Sequence, residues 1–512
     1  MRKIIRFIFS KRFVAIGLAL FQLFLFFVIV TSFYKVGTAI YFVMTVFSIG
    51  VMLYLFERDN INPSYKLLWV IIMMLLPVTG AVFYFLWGDT KLTRKQQAKL
   101  KKVYTTAKEH KIENPDALRV LEEKSPQLAK QAKYLEKFAD ATAYYNTAAK
   151  YYPMGEDFFK DFIKDIRNAK KTIFMQYFIV DEGYMWDTIL AELKNKVAEG
   201  VDVRIIYDGF GTLLTLPQNY EKQLEKYGIK VKVFNPVRFS LHIGEYLMLN
   251  HRDHRKITVI DSNIGYSGGL NIADEYINKI QKFGVWKDTA FRIEGEAVYG
   301  LTRTFLQTWH HLSGQLLNYE NYKPTTKCES DCIVQPYSDT PLDKINVCEN
   351  AYLSVINNAK DYVYITTPYL VIDHEMVTSL CLAAQSGIDV KIMVPGIPDK
   401  WYVYYITQSY YRTLLEAGVE IYEYTPGFLH AKMYVCDDIQ AIVGSANMDY
   451  RSMYLHFENC CSFYGGGMVN AVKTDFVKTL DECHKVTLEE VKNTLFFKRL
   501  FQFLFRIWSP MM

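Results

Sequence analysis

The chain has 512 residues, of which 50% are hydrophobic and 22% are charged, and its formal net charge is +5. This length allows more than one domain, and so many apolar residues beside an ordinary charged fraction indicate membrane segments joined to a globular body. The weak positive charge argues against the strongly basic groove of a nucleic-acid enzyme, whereas it suits an anionic membrane surface.

Three uncharged apolar segments lie in the N-terminal region, at 13–33, 37–56 and 67–87. Each has about the 20 residues that a helix needs to cross a bilayer. A cleavable signal peptide is the alternative for the first segment, but its apolar run is too long and no small-residue cleavage site follows it. We therefore predict a membrane anchor over 1–88 with two or three transmembrane helices. The Lys and Arg residues divide evenly between its two sides, so the positive-inside rule does not orient it.

Residues 89–150 are rich in charged side chains, with lysines concentrated close to the membrane segments. We predict a mostly helical connector. Its basic face is either simply solvated or weakly attracted to acidic lipid headgroups, by about 1 kcal/mol for each basic residue near the surface.

From residue 151 onward, apolar strands alternate with helical stretches, and the pattern occurs twice. The stretch 169–180 parallels 359–372. This alternation is typical of βαβ units with a mainly parallel sheet. We predict an α/β body of two tandem halves, 151–325 and 326–490, related by a pseudo-twofold axis with the functional site at their seam.

The strongest signal is a set of polar residues that occurs in both halves with the same spacing. A His is followed by a Lys two residues later, an Asp five residues after the Lys, and an Asn seventeen residues after the His. The two sets are His254, Lys256, Asp261 and Asn271, and His430, Lys432, Asp437 and Asn447. A single His-x-Lys pair is most often a solvated strand face, whereas two copies with identical spacing are hard to obtain by chance.

Alternation along each strand places the His and the Lys on the same face. Two such faces brought together would surround one phosphate with two His, two Lys and two Asn side chains. These groups can supply nucleophilic attack, proton transfer and stabilisation of developing charge. We therefore expect phosphoryl chemistry that uses no metal ion and no cofactor.

Two aromatic or apolar stretches near the C-terminus carry less specific signals. The aromatic cluster from Trp401 to Tyr411 has helical spacing, which fits either core packing or a lipid-entry surface. The segment 491–512 contains Phe, Leu and Ile interrupted by basic residues. It is too short and too charged to span a bilayer, so we predict an interfacial amphipathic helix, with a packed terminal helix as the alternative.

The paired motif resembles the HKD signature of the phospholipase D superfamily, and both copies are complete. Within that superfamily, residues 250–256, 268–276 and 286–289 resemble the first-half motifs of bacterial cardiolipin synthases, and 422–430 resembles the approach to their second motif. The resemblance covers nearly the whole chain. It departs at 13–33, because that family usually has two membrane segments before its catalytic body.

The resemblance implies a cardiolipin synthase of the cell membrane, multi-pass, with its catalytic domain on the cytoplasmic side. Such an enzyme converts two phosphatidylglycerol molecules into cardiolipin and glycerol. One His would form a phosphohistidine and the other would transfer protons, and we assign His254 as the nucleophile and His430 as the acid. Because an ordinary His titrates near neutrality, one can start neutral and the other protonated. The phosphoryl oxygens would be held by the motif's lysines and asparagines: Lys256, Lys432, Asn271 and Asn447.

Each catalytic His needs a partner, often a carboxylate, that fixes its tautomer. Glu458 matches the Glu that follows the second motif in the superfamily, and Glu275 is the first-half candidate. Asp261 and Asp437 either belong to the catalytic set or support the turn that follows each strand.

Two other functions remain open at this point. The same site could use water or another alcohol as acceptor, which would make the protein a phospholipase D-type phosphodiesterase. A non-catalytic membrane scaffold is the other possibility, although a scaffold needs neither His nor Lys of the motif. We expect phosphatidylglycerol and cardiolipin as the ligands and no nucleic acid.

Overall fold

The computed structural model describes residues 20–22, 24–25, 27–28, 34–58, 61–88, 94–237, 250–343 and 345–511. The chain divides into two compact units, one formed by 1–92 with 240–250 and the other by 93–239 with 251–510. Most of the membrane segment predicted at 13–33 lies outside the described residues.

The first unit is helical. Its helices are α1 (Tyr34–Glu57), α2 (Pro63–Leu75) and α3 (Pro77–Phe83), followed by a π-helical turn at Tyr84–Gly88. In the described part of this unit, one stretch is long and apolar enough to cross a membrane, the 20 residues Thr38–Glu57 of α1. This stretch corresponds to the segment predicted at 37–56.

The segment predicted at 67–87 is not one continuous helix. Leu76 leaves helical geometry, with φ −134° and ψ 74°, and Pro77 begins a new helix. Proline has no N–H to donate, and its ring disfavours the α conformation in the residue before it. The chain then turns back sharply, so that a Cβ on Gly80 would lie 2.9 Å from Met73 Cα. The apolar composition therefore predicts the extent of this segment but not its break at Pro77.

The second unit is a mixed α/β body, preceded in the chain by connector helices. The helices are α4 (Arg94–Glu109), α5 (Pro115–Lys124), α6 (Pro126–Phe138), α7 (Gly155–Asn168), α8 (Tyr184–Ala198), α9 (Tyr220–Glu225), α10 (Val298–Ser313), α11 (Val347–Asn358), α12 (His374–Gln385), α13 (Trp401–Glu416), α14 (Tyr450–Tyr454), α15 (Gly466–Leu480), α16 (Leu488–Lys492) and α17 (Phe496–Ile507). The connector helices α5 and α6 pack apolar side chains, including Leu121 and Leu128, against Ile333 and Tyr464 of the body.

The strands of the body form two large sheets and one short pair. They are β1 (Thr147–Tyr152), β2 (Thr172–Tyr177), β3 (Asp202–Asp208), β4 (Lys230–Phe234), β5 (Arg252–Asp253), β6 (Ile257–Ile260), β7 (Ile264–Gly268), β8 (Ala290–Gly295), β9 (Ile333–Asp339), β10 (Tyr362–Thr366), β11 (Leu370–Val371), β12 (Asp389–Pro395), β13 (Glu420–Tyr424), β14 (Met433–Cys436), β15 (Gln440–Gly444), β16 (Met448–Asp449), β17 (His456–Tyr464) and β18 (Cys483–Val486). The first sheet has the order β1-β8-β7-β6-β2-β3-β4. The second has the order β18-β13-β12-β10-β14-β15-β17-β5, with β9 also paired to β17, and β11 pairs with β16.

Parallel pairing is confined to part of each sheet. Strands β2, β3 and β4 are parallel, as are β10, β12 and β13, and helices connect them as the alternating pattern predicted. The motif strands instead form tight hairpins, β6 with β7 and β14 with β15, whose short turns permit only antiparallel pairing. The expectation of a mainly parallel sheet is therefore wrong for the part of each sheet that carries the motif.

The two motif aspartates lie in these hairpin turns, where they have positive φ, 52° for Asp261 and 50° for Asp437. The Asp261 carboxylate accepts the backbone N–H groups of Lys170, Lys171 and Thr172 at 2.7–2.9 Å. Asp437 accepts the three corresponding N–H groups at residues 360–362. These contacts fasten each motif hairpin to the start of the neighbouring strand, which favours the supporting role over the catalytic one.

Replacing Asp261 with Ala is expected to destabilise the body by about 1–2 kcal/mol, because three backbone donors lose a charged acceptor at a partly solvated turn. Asp261→Asn keeps one acceptor oxygen and should lose less. Thermal melting of the detergent-purified chain measures the effect, with activity per folded molecule determined in parallel. A large loss of turnover with an unchanged melting temperature would instead assign Asp261 to the catalytic set.

Candidate active site

His254 is positioned by a strand pair between β5 and the distant strand β17. β5, immediately before His254, pairs in parallel with the start of β17, and the His254 N–H donates to the carbonyl oxygen of Phe457 at 2.9 Å. The next residue of β17 is Glu458, so its side chain arrives beside the histidine. The first-half histidine is thus held by backbone of the second half.

Glu458 is the carboxylate partner of His254. Its two oxygens lie 2.9 and 3.1 Å from His254 Nδ1, and the Ser445 hydroxyl donates to it as well. Burial alone would raise its pKa, but His254 and His456 hold the pKa of this fully buried carboxyl well below its usual range. An ionised Glu458 fixes the proton of His254 on Nδ1 and leaves Nε2 as the basic nitrogen.

His430 is held in the reciprocal way by the first half. Its N–H donates to the carbonyl oxygen of Lys287 at 2.7 Å, and the residue that follows, Asp288, places Oδ2 2.5 Å from His430 Nδ1. Asp288 is fully buried, and burial raises its pKa to about 6. Each histidine therefore receives its backbone acceptor and its carboxylate from the part of the chain that carries the other motif.

The first-half carboxylate predicted from the sequence was Glu275, and the structure puts Asp288 in that place. Glu275 forms an ion pair with Lys282 at 3.2 Å, and its described contacts include neither histidine. Asp288 lies in the stretch 286–289, whose only signal in the sequence is its resemblance to a family motif. Nothing in its spacing from the motif marks it, because its contact with His430 crosses between the halves.

Gly269 makes room for Asp288. A Cβ at this position would lie 2.1 Å from Asp288 Oδ1. The matching position of the second half is Ser445, whose hydroxyl bonds the longer Glu458. The Gly-Gly and Gly-Ser pairs after the motif thus accommodate the carboxylates that hold the histidines.

The two motif lysines are buried beside the histidines, each 1% exposed. Lys256 Nζ donates to the His254 carbonyl oxygen at 2.6 Å, and Lys432 Nζ donates to the His430 carbonyl oxygen and lies 2.8 Å from His430 Nδ1. Burial lowers the pKa of Lys256 to about 7 and that of Lys432 to about 8. Two ammonium groups that are costly to keep charged in a buried site favour an anion between them.

Neither histidine is protonated at neutral pH before an anion binds. Burial lowers the pKa of His254 to about 4, with Lys256 contributing and Glu458 opposing. Burial, Lys432 and Lys256 lower the pKa of His430 well below 6.5. The expectation that one histidine starts protonated is therefore wrong for the site alone, because two buried ammonium groups oppose a third positive charge.

The two motif asparagines are tied to protein groups. Asn271 accepts the Ile179 N–H through Oδ1 at 3.0 Å and donates through Nδ2 to the Tyr276 hydroxyl at 2.7 Å. The Tyr276 ring in turn packs edge-on against His430, with 5.5 Å between centroids. Asn447 donates through Nδ2 to Asp449 at 2.9 Å. In this arrangement both amide nitrogens donate to other side chains of the protein.

His456 is a third histidine at the site, and it was not among the residues predicted from the sequence. Its Nδ1 lies 3.7 Å from Glu458 Oε1, and its ring centroid lies 5.4 Å from that of His254. Arg451 Nε donates to its Nε2 at 3.3 Å, which favours a ring proton on Nδ1, the nitrogen nearer Glu458. Its only sequence signal was a position two residues before Glu458 on a strand, which places both side chains on one face.

His254, His456 and Glu458 could also offer ligand atoms to a metal, since these atoms lie within 4.8 Å of one another. Within the described ranges, this is the one group of three such residues whose ligand atoms lie this close together. The direct Nδ1–carboxylate contact, however, uses the donor atoms of His254 and Glu458 for each other. A metal ion would have to break the contact that orients His254.

Two family descriptions match the chain. "Cardiolipin synthase, PLD-like domain" matches residues 162–309 and 352–480, and the phospholipase D-nuclease N-terminal description matches residues 39–88. The first match includes both motifs, Asp288 and Glu458. The second includes most of α1 and all of α2 and α3.

Related proteins align over almost the full length. A cardiolipin synthase of Halalkalibacterium halodurans is 34% identical over 480 residues, which cover 92% of this chain and 92% of that one. A cardiolipin synthase of Alkalihalophilus pseudofirmus is 33% identical over 488 residues, covering 94% and 95% of the two chains. A protein of Streptococcus mutans is 40% identical over 468 residues, covering 91% and 100%.

Among solved structures, a phosphatidylserine synthase of Haemophilus influenzae has a similar fold. It is 14% identical and superposes with a TM-score of 0.57, covering 75% of this chain and 100% of that one. At this identity the likeness concerns the fold alone.

Proposed function

Because the chain belongs to the cardiolipin synthase family of phospholipase D-like proteins, we propose that it transfers a phosphatidyl group from one phosphatidylglycerol to another, releasing glycerol and forming cardiolipin. The observation that carries the proposal is the reciprocal site. His254 is oriented by Glu458 and His430 by Asp288, with a buried lysine beside each histidine. This constellation suits a phosphodiester, whose charge lies between the lysines while one nitrogen attacks and another donates a proton.

The first step forms a phosphohistidine. His254 Nε2 attacks the phosphorus of the donor lipid, the bond from phosphorus to the headgroup glycerol oxygen breaks, and His430 Nε2 gives its proton to that oxygen. In the second step the hydroxyl of another phosphatidylglycerol attacks the phosphorus and displaces His254. The proton of that hydroxyl returns to His430, so the site ends as it began.

Different surroundings of the two Nδ1 atoms support His254 as the nucleophile. His254 Nδ1 faces a single, strongly ionised carboxylate, which keeps the lone pair on Nε2. His430 Nδ1 lies 2.5 Å from Asp288, whose pKa burial raises to about 6, and 2.8 Å from the Lys432 ammonium, which can donate to it. A donor at Nδ1 favours the tautomer with a proton on Nε2, the form that a general acid needs.

The bound phosphodiester supplies the negative charge that the site lacks. Its negative charge would raise the pKa values of Lys256, Lys432 and His430 together, since an opposite charge within about 4–6 Å favours the charged form. The lysines would then hold the phosphoryl oxygens as charge develops. Substrate binding and protonation of the acid are therefore coupled.

The finer architecture belongs to the same proposal. Two tandem halves, 151–325 and 326–490, would be related by a pseudo-twofold axis, and the reciprocal backbone and carboxylate contacts of His254 and His430 support this. The preceding 1–88 and 89–150 would act as membrane anchor and connector, and 491–512 as an amphipathic segment. Apolar side chains of α17 such as Phe496, 73% exposed, support an interfacial position for that helix.

We also propose a multi-pass membrane protein whose catalytic unit faces the cytoplasm. The apolar helix α1 and the match over residues 39–88 support the membrane anchor. All eight cysteines are free thiols, including Cys348 and Cys460 with sulfurs only 4.0 Å apart, which suits a reducing compartment.

The test is product analysis with the full chain in mixed micelles of neutral detergent, with labelled phosphatidylglycerol as the only phospholipid. Cardiolipin and free glycerol in equal amounts are the expected products. Phosphatidic acid as the main product would replace the proposal with a phospholipase D-type hydrolase that uses the same site.

His456 is expected to tune the basicity of His254 through Glu458. In His456→Phe, the Glu458 carboxylate loses one neighbouring N–H. The carboxylate should then stabilise protonated His254 more strongly and so raise the pKa of His254. Because His254 must be unprotonated to attack, activity is lost as pH falls through its pKa, and the acid limb of the kcat/KM profile should move to higher pH. His456→Gln keeps an N–H donor, so the acid limb of its kcat/KM profile should lie at the same pH as that of the unsubstituted chain. In either variant, kcat should change by about tenfold or less. An unmoved limb in His456→Phe would show that His456 does not act through Glu458.

A further inference from the structure

A second polar cleft lies where the connector meets the body, and its volume is about 300 Å³. Helix α4 and the end of α6 form one wall, and α10, β9 and Arg255 form the other. Within the part of the chain that the structure describes, the lining contains none of the catalytic histidines or lysines. The volume is at the lower end of those of small-molecule sites.

The lining carries five basic side chains and two carboxylates. The basic ones are Lys101, Lys108, Lys137, Arg255 and Arg303, and the acidic ones are Asp140 and Asp339. The three lysines are exposed at the mouth, whereas the arginines are 3% and 7% exposed at the base. The excess of positive charge in the lining therefore favours an anion. The buried donors, those of the two arginines, lie at the base of the cleft.

Both carboxylates are already engaged. Asp140 pairs with Arg303. Asp339 accepts the backbone N–H groups of Thr340 at 2.8 Å and Cys348 at 2.7 Å, and burial raises its pKa to about 7. The Asp140 charge is therefore offset by Arg303, and burial opposes the ionisation of Asp339.

The buried arginines retain unused donors. Arg255 Nε donates to Asp253 at 2.7 Å, while its two terminal nitrogens have no hydrogen-bond partner among the described residues. The Nε of Arg303 is buried, and in the same described set it too has no partner. A buried guanidinium nitrogen without an acceptor, such as the Arg303 Nε, is uncommon, because leaving it unpaired costs free energy. The terminal nitrogens of Arg255, which lines the cleft, can donate to an incoming anion.

We propose that this cleft is a second anion site and that it binds a phosphate group. A guanidinium presents donors in a fork that matches phosphate oxygens, and lysines at a mouth add mobile positive charge. The phosphate could belong to a free anion or to a lipid headgroup. Since Arg255 lies between His254 and Lys256 in the chain, the bound phosphate contacts the back of the catalytic segment.

Lysine labelling with an acylating reagent, read by mass spectrometry, tests the proposal on the full chain. The His254→Ala variant is used so that lipid is not consumed. Lys101, Lys108 and Lys137 should be protected, while Lys102 on α4 and Lys130 on α6, which do not line the cleft, should not. Protection by inorganic phosphate in neutral detergent identifies a free anion, and protection only in micelles with phosphatidylglycerol identifies a headgroup. Absence of protection in both conditions overturns the proposal.

A pair of exposed lysines gives the second measurement. The double variant Lys108→Ala with Lys137→Ala should bind phosphate roughly tenfold more weakly, because two ion contacts of modest strength are lost. The binding is measured by thermal shift. The matched control, Lys102→Ala with Lys130→Ala, should bind as the unsubstituted chain does. If phosphate still gives a thermal shift with the Lys108/Lys137 double variant but gives none with Lys432→Met, phosphate binds in the catalytic site alone and the cleft proposal is wrong.

Discussion

His254→Ala is expected to abolish cardiolipin formation, with turnover at least about 10⁴-fold lower, because the proposed covalent intermediate forms on His254. His430→Ala should cost about 10²–10⁴-fold, the usual contribution of a positioned acid and base. Product formation from labelled phosphatidylglycerol measures both. His484→Ala, an exposed histidine far along the chain, is the matched control and should keep full activity.

An activated substrate separates the two roles. A phosphatidyl ester of p-nitrophenol needs no proton on its leaving group, so His430→Ala should release nitrophenol in a rapid burst, whereas His254→Ala should not. The reverse pattern would exchange the roles of the two histidines. Equal, complete loss in both variants would contradict a division into nucleophile and acid.

Asp288→Asn is expected to lower turnover by about 10²–10⁴-fold, as much as the loss of His430, while leaving the fold intact. An amide in place of this carboxyl cannot stabilise the imidazolium of His430 and changes the tautomer that Nδ1 prefers. Glu275→Gln removes the carboxylate that the sequence suggested, and it should change turnover by less than about threefold, since Glu275 contacts Lys282.

Kinetics on both variants, with melting temperatures, decide between the two carboxylates. A severe loss in Glu275→Gln together with mild effects in Asp288→Asn would restore the assignment made from the sequence. Asp288→Glu is a useful addition, because the pocket beside Gly269 fits the shorter acid.

The sequence predicted what depends on local periodicity. The two-residue spacing of His254 and Lys256 does place both beside one site, and the identical spacing in the second half predicted the second pair. The same local logic failed at 67–87, where apolar composition concealed the break imposed by Pro77. It also failed for the sheet, because alternating helices and strands do not reveal that the motif strands return as antiparallel hairpins.

Contacts between the halves could not be predicted from spacing. Asp288 lies 142 residues from His430 and Glu458 lies 204 residues from His254. These pairs form because backbone before each carboxylate pairs with backbone before the opposite histidine, which is a property of the folded halves. The protonation of the site was missed for a related reason. Only the structure brings Lys256 and Lys432 close enough to lower the pKa of His430.

The most direct test of the two-step transfer is to trap the covalent intermediate. The full chain is mixed with phosphatidylglycerol radiolabelled in its phosphate, denatured at alkaline pH within one turnover, and digested so that the peptides with His254 and His430 separate. The mechanism predicts label on the His254 peptide and none in the His254→Ala variant. Cardiolipin formation with no labelled peptide at any quench time, or with label on His430, would contradict it.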